Sequence, residues 1–355
     1  MAPDSSLYRH QLGEAQTGRQ RSFALKATIP FCLGFTLFAT QIEARTEPTR
    51  DSLSSISASL AAHEQLSLKS SAALASLSPS SLFVNFSPVG VRWSTRSQIP
   101  IPDQPAIEKQ IRFFQGEGRT TFVTVLERAR SHFPIVAEIM EAQGVPHELI
   151  AVAMVESAFK RRAFYKGAAG YWQLLASTAR SLGLRVDRWV DERYDPIKST
   201  HAASKYLRSL YDRFGSWPLA LAAYNAGDGL VSNIIRKHGV DDFWEISKRR
   251  SLPRITRAYV PKILATIRIM RNLEVHGFES PQPFPIYNFE AITVQSPLKL
   301  KQVAKWIDVP TSDLRDLNPS LRQDRLPPDR GGVQLNLPSG AREKFQIAYE
   351  SYLRK

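Results

Sequence analysis

The sequence predicts a mainly α-helical domain followed by a small α+β module, and three observations predict it. Between Lys109 and Leu273 apolar residues recur at helical spacing, with Gly, Pro and Asp at the breaks. After Pro281-Gln-Pro-Phe-Pro285 the pattern turns to alternation, in Tyr287–Val294 and again in Val333–Leu337, with two short helical stretches between. Upstream of Ile99 neither pattern holds, and Ser, Ala and Leu dominate. The expected organisation is residues 1–44 an export signal, 45–102 a flexible linker, 103–280 the helical domain and 285–345 the module.

The chain has 355 residues, 43% of them hydrophobic, enough for a full core and an added module. Its formal charge of +14 suits a polyanionic surrounding, either nucleic acid or an anionic envelope. No Gly-rich phosphate loop, zinc-finger spacing or RNA-binding aromatic signature accompanies the charge, so nucleic acid is not expected as a partner. Arg19, Arg21 and Lys26 precede the apolar run Ala27–Thr40, the right length for a signal core and short for a membrane span. The expected location is therefore the periplasm or cell envelope. Cys32, preceded by Pro30-Phe31, lacks the small residues a lipid anchor needs, so no lipoprotein is expected; as the one cysteine it allows no intramolecular disulfide.

In the helical domain the expected helices are Lys109–Phe114, Phe122–Arg130, Pro134–Gln143, a buried helix after Pro146, Ser177–Leu182, one capped by Asp195 and ended by Gly215, Trp217–Tyr224 and Tyr259–Leu273. No strand is expected there. The segment Leu149–Val155 is apolar on every face and ends at Glu156. Burial and the negative pole of the helix both favour the neutral form of that carboxyl, which makes Glu156 a candidate proton donor. Lys160, Arg161 and Arg162 are expected to point to solvent, and Ser157 to hydrogen-bond beside Glu156. Gly167-Ala-Ala-Gly-Tyr-Trp-Gln173 and Ala222-Ala-Tyr-Asn-Ala-Gly227 add aromatic faces and amides of the kind a sugar groove uses. The seven histidines stand singly without metal-ligand spacing, and no Ser sits in a Gly-x-Ser-x-Gly elbow, so neither a metal nor a cofactor is expected.

Taken together, Glu156-Ser157, Gly167–Gln173, Val190-Asp-Glu-Arg-Tyr-Asp-Pro196, Ser199-Thr200, Ala223-Tyr-Asn-Ala-Gly227 and Tyr259-Val-Pro-Lys262 resemble the lytic transglycosylases with the goose-type lysozyme fold, of the membrane-bound D type. The resemblance covers about half the chain. It implies a lysozyme-like helical catalytic domain that cleaves the MurNAc-GlcNAc bond of peptidoglycan glycan strands and leaves 1,6-anhydro ends, with Glu156 catalytic and Ser157, Gln173, Tyr224, Asn225 and Tyr259 binding substrate. Peripheral membrane or wall association and oligomeric state stay open. Three residues depart from the pattern: Phe164 for a small Ser, Ala176 for Pro, and Ile255 for Glu. The module, with Asp313-Leu-Arg-Asp-Leu-Asn-Pro319 inside it, looks like a divergent LysM glycan-binding unit, or else a packing domain without that role. Two other readings remain: a lysozyme-type hydrolase on the same fold, and a non-catalytic wall-binding scaffold. Asp187, Asp191, Glu192 and Asp195 read as caps and surface pairs rather than a second catalytic carboxylate.

Overall fold

A computed structural model describes residues 99–281, 289–295, 298–328 and 332–354. The expected export signal, Cys32, the linker up to residue 98 and the start of the Tyr287 strand lie outside the described residues.

The helical domain opens with α1 (Pro105–Gln115), α2 (Arg119–Ala129) and α3 (Phe133–Ala142). Their inner faces bring Phe114 and Phe122 to a 4.8 Å ring separation, and Phe278 stacks on at 4.9 Å. A short 3-10 turn, His147–Leu149, leads into α4 (Ile150–Ser157). As expected from its uniformly apolar faces, α4 is buried from Ile150 to Met154.

The centre is built from α4, α7 (Trp217–Ala226) and α10 (Arg254–Arg271). Ala151 and Ala153 of α4, Ala220, Ala222 and Ala223 of α7 and Ala265 of α10 are fully buried, and such short side chains let both helices approach α10 closely. Around them run α5 (Ala176–Ser181), α6 (Pro196–Phe214), α8 (Asp228–His238) and α9 (Phe243–Ser247). Asp195 caps α6 as expected, accepting from the Ile197 and Lys198 amides at 2.9 Å, and Gly215 ends it at φ 64°. Helix α10 is tied back to the first helices and the segment ahead of them. Arg268 pairs with Glu108 at 2.5 Å, and Arg271 pairs with the buried Glu148 at 2.7 Å while donating to the Ile99 carbonyl.

Three features correct the sequence reading. The domain is not all helix: β1 (Phe164–Tyr165), β2 (Ala168–Ala169) and β3 (Leu174–Leu175) form a small antiparallel sheet in the order β1-β2-β3. Helices α8 and α9 were not expected, although Val231 and Ile234 are spaced for one and Asp242 caps the other through the Glu245 amide. A further helix, α13 (Arg342–Leu353), extends the module.

The module has its own core. Strands β4 (Phe289–Val294) and β5 (Val333–Pro338) pair antiparallel with Ile292 opposite Leu335, and α11 (Leu300–Ile307) and α12 (Thr311–Leu317) pack beside them. Buried Asn318 joins helix to sheet: its Nδ2 donates to the Leu314 and Asn336 carbonyls, and its Oδ1 accepts from the Asn336 amide. Val190 and Trp189 of the helical domain pack into this second core.

Gly170 is held at φ 76°, and a Cβ there would lie 1.8 Å from the Arg193 carbonyl oxygen. Backbone rather than a flexible side chain is the obstacle, so Gly170→Ala is expected to destabilise the chain by at least ~2 kcal/mol. The check is a urea titration, in which the midpoint falls while the slope stays unchanged.

Candidate active site

Glu156 lies in the last turn of α4, partly exposed where the helix ends, and Ala158 and Phe159 follow with left-handed φ of 52° and 53°. This reversal turns the chain away directly after the carboxylate. The Tyr259 hydroxyl, on α10, donates to Glu156 Oε1 at 2.8 Å. Burial pushes the Glu156 carboxyl up from the ordinary 4.5 to about 7, and the Tyr259 hydrogen bond offsets only part of that rise. Burial also holds the Tyr224 and Tyr259 hydroxyls well above the usual tyrosine value, with the Glu156 charge adding to it in both. The site is therefore a desolvated carboxyl flanked by two neutral phenols. Since Tyr259 donates into Oε1, the acidic proton is left to Oε2.

Each of the expected substrate-binding residues makes a hydrogen bond within the protein. Tyr259 is fully buried and gives its hydroxyl to Glu156. Ser157 is buried and gives its hydroxyl to the Ala153 carbonyl at 3.0 Å, because one step along a helix turns the side chain about 100° away from Glu156. Tyr224 donates at 2.7 Å to the carbonyl of Trp172 and so ties α7 to the loop between β2 and β3. Gln173, at φ 48°, folds its Nε2 back onto the Gly170 and Ala163 carbonyls at 2.8 and 3.3 Å. Asn225 Oδ1 accepts from the Thr256 hydroxyl at 2.8 Å. Trp172 is buried, its indole N–H donating to Thr200 Oγ1 at 3.0 Å, which accounts for the Ser199-Thr200 pair in the sequence.

The basic run after Glu156 divides. Lys160 and Arg162 are exposed as expected, but Arg161 is half-buried and donates to the Asp316 carbonyl of the module. Of the three departing residues, Phe164 stands 62% exposed on β1, Ala176 begins α5, and Ile255 lies in the first turn of α10.

The carboxylates near residue 190 are engaged. Asp187 accepts from the Trp189 and Val190 amides, Glu192 pairs with Lys198 at 2.7 Å, and Asp195 caps α6. Asp191 caps the 3-10 turn Glu192–Tyr194 through the Arg193 amide, as the cap reading expects, but its ion pair with Arg193, at 2.8 Å, is buried and not at the surface. Arg193, part of the Val190–Pro196 motif, has no role that the sequence assigns. Its Nη1 donates to the Gly167 and Leu174 carbonyls at 2.6 and 3.0 Å and clamps both ends of the loop that carries Trp172 and Gln173.

Residues 134–247 match the family model of the transglycosylase SLT domain, and residues 288–353 match that of the lytic transglycosylase MltD, LysM-like domain. The chain is 31% identical over 233 residues to membrane-bound lytic murein transglycosylase D of Escherichia coli K12, covering 64% of this chain and 50% of that protein. It is 38% identical over 113 residues to peptidoglycan transglycosylase gp16 of Escherichia phage T7, covering 30% of this chain and 9% of that one. Among solved structures it is similar to the 70 kDa soluble lytic transglycosylase SLT70 of Escherichia coli, at 21% identity and a TM-score of 0.38, over 49% of this chain and 31% of that one. The chain spans half the length of its E. coli K12 relative. It thus carries, in order, a stretch that matches the transglycosylase SLT domain and one that matches the LysM-like domain of lytic transglycosylase MltD.

Proposed function

We propose that this chain is a peptidoglycan lytic transglycosylase of the cell envelope that cleaves the bond between N-acetylmuramic acid and N-acetylglucosamine. The observation that carries the reading is the lone Glu156 carboxyl, poised near pH 7 by burial and held by Tyr259, with the carboxylates around residue 190 committed elsewhere. An ordinary glycosidase flanks the bond with two carboxylates, one as acid and one as base or nucleophile. One carboxyl suffices when the substrate supplies the nucleophile.

In the first step Glu156 gives its proton to the glycosidic oxygen, and the bond from that oxygen to C1 of the muramic residue breaks. The resulting carboxylate then takes the proton of the C6 hydroxyl of the same residue. The freed oxygen attacks C1 and closes the 1,6-anhydro ring. A pKa close to the working pH suits a group that must both give and take a proton. The muramic acetamido group stabilises the cationic centre. With Asn225 Oδ1 held by Thr256 and Gln173 Nε2 held by backbone carbonyls, Asn225 presents its N–H donors and Gln173 its oxygen acceptor, the complement of an acetamido group. Tyr224 acts indirectly, by holding the Trp172 carbonyl. The LysM-like module is read as a further contact to glycan.

Mass analysis of the products released from isolated sacculi tests the chemistry. The chain is expected to release muropeptides lighter by one water than their reducing-end counterparts. Glu156→Gln is expected to lower turnover at least ~1,000-fold, since removing the acid and the base at once removes both proton transfers. Reducing-end products would make it a hydrolase instead.

Two pH predictions follow from the raised carboxyl. Removing the Tyr259 hydroxyl takes away a donor that favours the ionised form. Tyr259→Phe is therefore expected to move the alkaline limb of the kcat profile above its wild-type position near pH 7. For stability the sign follows from a folded value above the unfolded one: the native state binds the proton more tightly, so stability is lost as pH rises from about 4.5 to about 7. Glu156→Gln is expected to match wild type at pH 4 and exceed it by up to about 3 kcal/mol at pH 8, read from urea midpoints at the two pH values.

A further inference from the structure

The C-terminal module does not simply follow the helical domain. The segment 186–191 reaches into it: Val190 pairs with Leu321 in an antiparallel bridge, the Asp191 amide donates to the Ser320 carbonyl at 2.8 Å, and the Arg322 amide donates to the Trp189 carbonyl at 2.9 Å. The Val190 side chain is buried in the module's core rather than in that of its own domain. Arg322 and Gln323 add side-chain bonds to the Asp187 and Arg188 carbonyls, at 3.2 and 3.0 Å.

This junction lies two residues from the clamp on the groove loop. The Asp191 carboxylate receives Arg193 Nε and Nη2 at 2.9 and 2.8 Å, with both side chains almost wholly buried. The remaining Arg193 nitrogen holds the Gly167 and Leu174 carbonyls, and the Arg193 carbonyl packs against Gly170, where no side chain would fit. A second tie reaches the other side of the site, where Arg161, five residues past Glu156, donates to the Asp316 carbonyl.

We infer that Asp191 and Arg193 are positioning residues through which the docked module fixes the Gly167–Leu174 loop, making the module part of the active-site scaffold and not only a glycan-binding appendage. A buried guanidinium with three carbonyl and carboxylate directions satisfied leaves the loop little freedom while Asp191 stays put. Asp191 in turn stays put because its own amide and its neighbour Val190 belong to the module. The physical coupling stands on these contacts alone; its effect on turnover rests on the transglycosylase reading above.

Removing Arg193 itself would strand a buried carboxylate and risk unfolding, so the test loosens the junction instead. Val190→Ser withdraws an apolar side chain from the module's core, and the double variant Arg322→Ala/Gln323→Ala removes two surface contacts and leaves both cores intact. Each is made in the full chain and read in two ways. The first is amide hydrogen exchange at residues 164–175. The second is kcat and KM on a soluble glycan tetrasaccharide too short to reach a distant binding module. Val190→Ser is expected to speed exchange across 164–175 while that of α6 and α7 holds, and to lower kcat about tenfold with KM within about twofold, as a small misplacement of a groove wall would. The double variant is expected to move both readings the same way by less, and it decides the matter if Val190→Ser fails to fold. Unchanged exchange at 164–175 in variants whose residues 320–322 exchange faster would overturn the inference, because the module would then have let go without loosening the loop. Should the wild-type chain yield no anhydro products, the transglycosylase reading falls, and the exchange measurement still decides the coupling.

Discussion

The hydrogen bond from Tyr259 to Glu156 is the contact on which the arrangement of the site depends. It joins the two helices whose relative position sets the chemistry. Helix α4 carries the carboxyl into a desolvated place because its faces are apolar all round, and α10 supplies the donor that makes this burial tolerable. A bare carboxylate in such a place would be costly, and the neutral form relieves that cost. One donor relieves part of it too, and the balance leaves the group near pH 7 rather than far above it. Helix α10 must therefore sit correctly against α4. The ion pairs Arg268–Glu108 and Arg271–Glu148 give α1 and the segment around Ile99 a role in the site that they never touch.

Backbone strain is gathered close to these same residues. Ala158, Phe159, Lys166 and Gln173 are non-glycine residues at positive φ, and all four lie between the end of α4 and the start of α5. Each costs on the order of 1 kcal/mol or more, so the surroundings must hold them. They are held. Arg128 donates to the Ala158 carbonyl, the Lys160 amide to the Ser157 carbonyl, and Gln173 folds its own amide back onto the loop.

The overall helical character, the buried α4 with its terminal Glu156, the Asp195 cap and the alternating strands of the module were all legible in the sequence, because each has a local signal of period or capping. What was not legible is long-range or too short. Two-residue strands such as Ala168–Ala169 are below the length at which alternation can be seen, so the small sheet was invisible. Ser157 read as a partner of Glu156 because the two are adjacent in sequence, whereas helical geometry separates adjacent side chains. The resemblance alone implies Tyr259 as substrate-binding, and only the packing of α10 on α4 reveals that its hydroxyl reaches Glu156. Arg161 is expected to point to solvent, and Arg193 enters only as one letter of the Val190–Pro196 motif. Their partners, the Gly167, Leu174 and Asp316 carbonyls, are backbone atoms, which no side-chain pattern announces. Helices α8 and α9 are a different case, since Val231, Ile234 and Asp242 gave signals that went unread.

The orientation of the Glu156 carboxyl carries the argument one step further. Its two oxygens are not equivalent: Oε1 accepts from Tyr259, which leaves Oε2 to carry the proton of the neutral form. In the proposed sequence Oε2 releases that proton to the glycosidic oxygen and later accepts one from the C6 hydroxyl. Throughout, Tyr259 continues to donate to Oε1, more strongly once the group is charged. The carboxylate formed in the first step is thus stabilised by a bond that already exists, with no rotation of the group between the two transfers. Such preorganisation places the stabilisation where charge develops. In that proposed sequence a fully buried tyrosine takes part through its bond to the carboxyl alone. A second carboxylate close by would raise Glu156 further and hinder its return to the charged form, and none of Asp187, Asp191, Glu192 and Asp195 is among the groups that shift it.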